Sequence, residues 1–234
     1  MSIYAISDLH LSLSVDHRMD IFDGWENYDK KIEKNWKETV KNNDTVIVPG
    51  DVSWGINFEE SKEDFKFIEN LPGKKIILKG NHDYWFSTHN KMNKFFEEND
   101  IGSIKILSNN AYEAEDKIIC GTRGWSIACG DDSVTDKKIL RREVIRLKNS
   151  FEYAKENLDV ENKEIIAFFH FPPVTVFNSC KDIIKVLLEY DIKKCYYGHL
   201  HGDISDLKFE GEYSGIDFTL VAADHIKFKP IKIN

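Results

Sequence analysis

Arginine is scarce in this chain. Of 32 basic residues among 234, only five are arginine; acidic residues number 40, and the net charge is −8. A protein that wraps long nucleic acid needs the opposite sign, because it must neutralise phosphates. Extended nucleic acid is therefore not an expected partner, although a local basic patch stays open. No run of eighteen apolar residues occurs, so no transmembrane helix is expected and a membrane partner is set aside. The opening MSIYAISDLH has no basic stretch and no apolar leader core, and reads as a buried strand rather than a secretory signal. The cysteines at 120, 129, 180 and 195 form no C-x-x-C pair. The expectation is buried free thiols in a reducing cytoplasm, not a disulfide framework or a thiolate zinc site. G-x-S-x-G, G-x-x-x-x-G-K-[ST] and G-x-G-x-x-G are all missing, so neither a serine nucleophile nor a Gly-rich phosphate loop is indicated. With no repeat and no Gly-, Pro- or Ser-rich linker, one domain spanning 1–234 is the default.

What is present alternates. Ile3–Ser7, Thr45–Val48 and Lys74–Leu78 read as strands, separated by helices over 29–41 and 58–71. A short helix (88–98) follows, then short strands at Ile104–Leu107, Ala111–Ala114 and Lys117–Cys120. A long helix over 135–157 carries an apolar stripe of Leu140, Val144, Leu147, Phe151 and Ala154. Ile165–Phe169 lacks polar alternation and reads as a strand buried on both faces. A helix (180–190), a strand (Lys193–Tyr197) and short antiparallel strands from about 206 complete the chain. The expected class is α/β, with two packed sheets and helices outside.

The chemistry gathers where strands end. Asp8-Leu9-His10 follows the first strand, Gly50-Asp51 the second and Gly80-Asn81-His82-Asp83 the third. His170 follows Phe169, and Gly198-His199-Leu200-His201 follows Tyr197. Taken as five strands of one sheet, these would deliver Asp, His and Asn to one place outside the carboxyl ends. Asp8 and His10 are two apart, so an extended segment would point both to one side; His199 and His201 share that spacing. Imidazole and carboxylate without thiolate favour first-row metals such as Mn, Fe, Co, Ni or Zn. Any one motif alone is ordinary: a cap, a turn, a hairpin or a core histidine. All five in order, each after an apolar strand, make coincidence a poor account.

This ordered set resembles the signature of the calcineurin-like metallophosphoesterases, D-x-H, G-D, G-N-H-[DE], H and G-H-x-H, from Asp8 to His201. The resemblance implies a four-layer α/β/β/α sandwich, two mixed β-sheets flanked by helices, and a binuclear metal-dependent phosphoesterase. It implies that Asp8, His10 and His201 hold one divalent ion and Asn81, His170 and His199 a second, with Asp51 bridging. Mn2+ is the first expectation, with Fe, Zn, Ni or Co as alternatives. It further implies that a metal-bridging hydroxide attacks the phosphorus, while His82, unliganded, protonates the leaving group. Asn81 also stands among the substrate-binding candidates. Asp83 either fixes the His82 tautomer or caps the loop.

Other residues keep two readings. Arg123, in the Gly-flanked CGTRGWS at 120–126, is either a bidentate phosphate clamp or a surface ion pair. Trp54, Tyr84, Trp85 and Trp125 each lie beside a motif, as substrate wall or as loop packing. Arg142 and Arg146 read as solvated, and His17, His89 and His225 as structural. The long polar connection over 11–28 reads as a lid. Gly50-Asp51 continues as Val52-Ser53-Trp54-Gly55 and Asp83 replaces a Glu, which departs from the Ser/Thr protein phosphatases. A small-molecule phosphodiester or phosphomonoester is the expected substrate. A metal-dependent nuclease is the alternative within enzymes, and a non-catalytic protein-binding scaffold of the same fold the alternative outside them.

Overall fold

The computed structural model describes residues 1–125 and 133–233. Ser126 and Cys129, both named above, lie outside the described residues. The first half runs β1 (Ile3–Ala5), α1 (Tyr28–Thr39), β2 (Thr45–Pro49), α2 (Phe58–Glu69), β3 (Lys74–Leu78), α3 (His89–Glu98) and β4 (Ile104–Leu107). The four strands pair in parallel in that order. The second half runs β5 (Tyr112–Ala114), β6 (Lys117–Thr122), α4 (Val134–Asn157), β7 (Glu164–Phe169), α5 (Lys181–Glu189), β8 (Lys194–Tyr197), β9 (Gly211–Tyr213) and β10 (Ile216–Leu220). In this six-stranded sheet β6, β7, β8 and β10 are parallel, with β5 and β9 antiparallel at the two edges. The last strand, β11 (Ile231–Ile233), returns to pair antiparallel with β1, making the first sheet five-stranded.

Side-chain alternation divides the strands between three apolar layers, because successive strand residues face opposite sides. Val46, Val48 and Ile77 face outward onto Trp36, Phe65 and Phe96 of the first helices. Ile118, Cys120, Ala167 and Phe169 face Leu147, Phe151 and Ile183 on α4 and α5. Between them, Ile47, Ile76, Leu78, Ile119, Ile166 and Phe168 fill the space where the two sheets meet. Each such side chain, fully buried, is worth about 1.5–3 kcal/mol. The result is helix on sheet on sheet on helix, the expected sandwich.

One expectation is corrected. The five motif-bearing strands do not share a sheet: β1, β2 and β3 lie in one, β7 and β8 in the other. Strand pattern reports burial, not partnership, so it cannot assign strands to sheets. The cysteines also divide. Cys120 and Cys195 are buried and free, as expected. Cys180 is disulfide-bonded, which corrects the expectation of a free thiol there, since sequence spacing says nothing of approach in space. Among the described residues no helix is long and apolar enough to cross a membrane.

Candidate metal centre

The carboxyl ends of β1, β2, β3, β7 and β8 meet across the sheet-to-sheet seam, and the strand-end residues meet there. Ligand-type atoms of Asp8, His10, Asp51 and His201 lie within 4.8 Å of one another; so do those of Asp51, His170 and His199. The two clusters share Asp51.

The local backbone that achieves this is strained. Asp8 (φ 58°), His10 (φ 45°), Asp51 (φ 52°) and His199 (φ 70°) all adopt left-handed conformations. Such residues cost about 1–3 kcal/mol each and persist where surroundings over-determine them. This corrects the expectation for Asp8 and His10. They converge through left-handed turns after β1 has ended, not by alternation along an extended segment. Two glycines make room. A Cβ on Gly50 would stand 2.6 Å from the Gly80 Cα, and one on Gly80 would stand 2.1 Å from Asp51 Oδ1.

Hydrogen bonds aim the carboxylates. Asp8 accepts from the Ser7 hydroxyl (2.5 Å) and from the backbone N–H of His199 (2.9 Å to Oδ2), tying the first sheet to the second. Asp51 Oδ1 accepts from the His82 N–H (2.8 Å), while Asp51 Oδ2 is buried with no hydrogen-bond partner. That oxygen lies 3.4 Å from His170 Nε2 and 3.8 Å from His10 Nε2. His170 Nδ1 sits 3.0 Å from the Pro49 carbonyl, which can only accept, so the ring proton is there and Nε2 presents a lone pair. That lone pair faces Asn81 Oδ1 at 2.6 Å. His10 Nε2 and His201 Nε2 face each other at 3.0 Å.

The electrostatics have one leading cause, burial. Burial pushes the Asp8 carboxyl up to about 6 and Asp51 well above its usual range, Asp83 and Asp8 adding to the latter. Burial also holds His10 and His170 well below the usual imidazole value and lowers His199 to about 3. A dry cluster of lone pairs facing one another disfavours every charged form. A divalent cation removes the conflict, because it needs carboxylates ionised and imidazoles neutral. The donor set therefore fits a hard-to-borderline metal.

His82 stands beside the cluster and makes no ligand-type approach to it. Its ring lies 5.6 Å from that of His10 and 4.3 Å from Trp54, and its Nδ1 is buried without a partner. Burial lowers its pKa, and His201 lowers it further. Asp83 does not steady that ring, which corrects one of its two expected roles. Its oxygens accept from the N–H groups of Gly80 (2.7 Å), Asp51 (2.9 Å), Val52 (2.9 Å) and Ser53 (3.4 Å), and from Trp85 Nε1 (3.0 Å). Asp83 staples the β2 loop to the β3 loop.

The aromatic neighbours separate cleanly. Trp54 stacks on His10 at 5.0 Å and belongs to the site wall. Trp85 is buried against Phe65 at 4.7 Å and is packing. Tyr84 is 61% exposed, with its ring 6.3 Å from that of His82. Trp125 carries the Arg123 guanidinium 4.8 Å over its ring. Arg123 also lies 3.6 Å from the fully buried Glu143, so its ion pair is interior, which corrects the expectation of a surface one. Sequence reading missed three supports. Trp25 packs edge-on against His10 and His201, and Tyr28 donates to the His10 carbonyl at 2.8 Å. Asp64 accepts from Ser53 Oγ (2.5 Å) and from the Leu13 N–H (2.8 Å). The 11–28 connection that supplies Trp25 and Tyr28 is thus partly core. No local motif marks any of the three, although Tyr28 and Asp64 sit on helix faces.

The chain belongs to the calcineurin-like phosphoesterase family, whose model matches residues 1–203. Its Asp/His clusters could hold divalent metal ions, in keeping with that family. The Uncharacterized protein MJ1445 of Methanocaldococcus jannaschii is 31% identical over 83 residues, 35% of this chain and 46% of that protein. The match therefore spans less than half of that relative's length. Among solved structures, the protein of unknown function AQ665 from Aquifex aeolicus superposes with a TM-score of 0.51 at 18% identity, over 99% of this chain and 95% of that one. TT1561 of Thermus thermophilus superposes with a TM-score of 0.56 at 10% identity, over 99% and 97%. At those identities the likeness shows the fold.

Proposed function

We propose that residues 1–234 act as one domain, a binuclear phosphoesterase that hydrolyses a phosphate ester of a small molecule. The observation that carries this reading is the pair of ligand clusters sharing the buried, unpartnered Asp51 Oδ2. Asp8, His10 and His201 would hold one divalent ion and Asn81, His170 and His199 a second, Asp51 belonging to both ligand clusters. The return of β11 to pair with β1 supports the single domain. When bound, the two ions polarise the phosphoryl oxygens and lower the pKa of a water at the site.

The chain's own residues do the rest. Asp51 and Asp8 leave a pair of divalent ions under-neutralised, so the site attracts an anionic ester. Asn81, at the β3 end, presents its amide to the phosphoryl group as well as to an ion. His82 lies outside the ligand set with a free Nδ1, and a bound phosphate anion stabilises its imidazolium form. It then gives that proton to the leaving alkoxide, a role worth roughly 10²–10⁴-fold. Trp54 covers His10 and keeps bulk water from that side.

The test is turnover of alkyl esters, whose leaving alkoxide needs a proton, glycerol 2-phosphate as monoester and glycerophosphocholine as diester, with added Mn2+, wild type against His82→Ala. Metal content is read in parallel. The expected result is metal-dependent turnover that falls in the variant by the factor above while about two ions per chain remain bound. Absence of turnover with any divalent ion overturns the enzyme reading, and undiminished turnover in the variant overturns the role of His82.

A further inference from the structure

A cavity of about 610 Å³ lies beside the metal centre. Lys79 at the end of β3, Leu107 on β4, and Gly121 and Thr122 on β6 form its floor, and the first half of α4 forms its outer wall. Lys79, Arg123, Arg142 and Arg146 line it, and Glu143 is the sole acidic residue among the described lining. Three of the chain's five arginines thus meet in one hollow of a protein whose net charge is −8.

Three of the four cations are held rather than merely near. Glu143 is fully buried and accepts from Thr122 Oγ1 (2.5 Å) and Arg146 Nη1 (2.5 Å), with Arg123 Nη2 at 3.6 Å. One carboxylate therefore orients two guanidinium groups. The Arg123 guanidinium carbon stands 4.8 Å over the Trp125 ring, and its Nε is buried without a hydrogen-bond partner. The Lys79 ammonium stands 5.4 Å over the Phe86 ring. Arg142 is exposed and makes no ion pair among the described residues. Four cations against one carboxylate leave about three positive charges for a ligand to answer, by formal charge alone.

The hollow shares a wall with the metal centre. Lys79 directly precedes Gly80-Asn81, and the Arg123 carbonyl accepts from the N–H of Phe171, the residue after His170, at 2.9 Å. Burial lowers the Arg123 pKa, and the Asp51 carboxylate of the metal centre is near enough to oppose that shift. We infer that this hollow is a second phosphate subsite, holding a phosphoryl group of the substrate other than the one hydrolysed. The substrate class is then a small molecule carrying two phosphoryl groups. This assignment rests on the phosphoesterase reading above. Guanidinium forks match phosphate oxygens in pairs. The volume lies within the usual range for small-molecule sites, about 300–1,000 Å³. Phe86, Trp125 and Ile139 give apolar surface for the part that joins the two phosphates.

The test uses the full chain and adenosine 3′,5′-bisphosphate as probe, titrated calorimetrically with the metal chelated so that no turnover intervenes. Saturable binding is expected in wild type. Arg142→Ala is expected to weaken it roughly tenfold and Arg142→Lys to restore much of it, as loss and return of one charged contact. The exposed, unpaired position keeps the fold out of the comparison, and far-UV circular dichroism checks that. No saturable binding in wild type, or equal binding in Arg142→Ala, overturns the inference. A second arm loads the same wild-type chain with Mn2+ and measures p-nitrophenyl phosphate turnover. Turnover without bisphosphate binding overturns this subsite and leaves the phosphoesterase standing. Binding without turnover supports an anion site and overturns the substrate assignment built on the enzyme.

Discussion

The Nε2 atom of His170 faces the Oδ1 atom of Asn81 at 2.6 Å. With the ring proton committed to the Pro49 carbonyl, both facing atoms are acceptors. Two acceptors at that distance repel unless a cation lies between or beside them or the amide turns its NH₂ to the ring. Asp51 Oδ2 adds a third acceptor 3.4 Å from the same nitrogen. The folded chain should therefore be more stable with divalent metal than without. At about 100-fold excess over Kd, binding adds roughly 2.7 kcal/mol, or about 5–10 °C in Tm for a chain of this size. Thermal scans with Mn2+ and with chelator read this directly. Coincident melting curves would remove the site as a metal centre.

Gly80→Ala tests the packing of the cluster. A Cβ there meets Asp51 Oδ1 at 2.1 Å and the Asp51 N–H nitrogen at 2.2 Å, so Asp51 must move. The substitution should lower metal affinity at least tenfold and cost about 1–3 kcal/mol of stability. Metal content after dialysis reports the first effect and urea unfolding the second. A variant that retains full metal content would show that Asp51 is free to shift.

Asp83 offers only lone pairs to four N–H groups and an indole. Burial raises its pKa, and those donors pull it back down. Asparagine is therefore not conservative here, since its NH₂ would point a donor at donors. Asp83→Asn should lose about 3–5 kcal/mol, comparable to breaking a buried charged network. Denaturant midpoints measure it. Wild-type stability in Asp83→Asn would contradict the staple.

Asp64 is fully buried, and burial raises its pKa from 3.8 to about 6, the Ser53 and Leu13 hydrogen bonds opposing. The folded state then holds this proton more tightly than the unfolded chain. Its contribution favours folding below pH 3.8 and is lost as pH rises through about 6. At roughly 1.36 kcal/mol per pKa unit the swing is about 3 kcal/mol. Asp64→Asn keeps the shape and removes the titration. The stability difference between variant and wild type should shift in the variant's favour from pH 4 to 7, read as urea midpoints. A pH-independent difference would place the Asp64 pKa at its ordinary value.

Much of the site was legible because motif residues follow apolar strands, and chain order survives folding. His170 and the His199–His201 pair needed only that. The partition of strands between sheets was not legible, because period-two burial looks alike in either sheet. The left-handed turns at Asp8, His10 and His199 were also hidden, as none of these residues announces positive φ the way glycine does. Asp83 reads the same whether it serves a ring or a backbone, and only the direction of its oxygens decides. The basic hollow was invisible for a related reason. Lys79, Arg123 and Arg146 are far apart in sequence and become neighbours through the seam between sheets.

The pairing of β11 with β1 fixes an order in time. Ile3, Tyr4 and Ala5 hold Ile233, Lys232 and Ile231 across the edge of the first sheet. The strand that leads to Asp8 thus keeps an open edge on the ribosome until residues near 233 have emerged. A chain arrested earlier presents an unpaired strand beside its metal ligands, the kind of edge that recruits other chains. Emergence of β11 and sealing of that edge are one event.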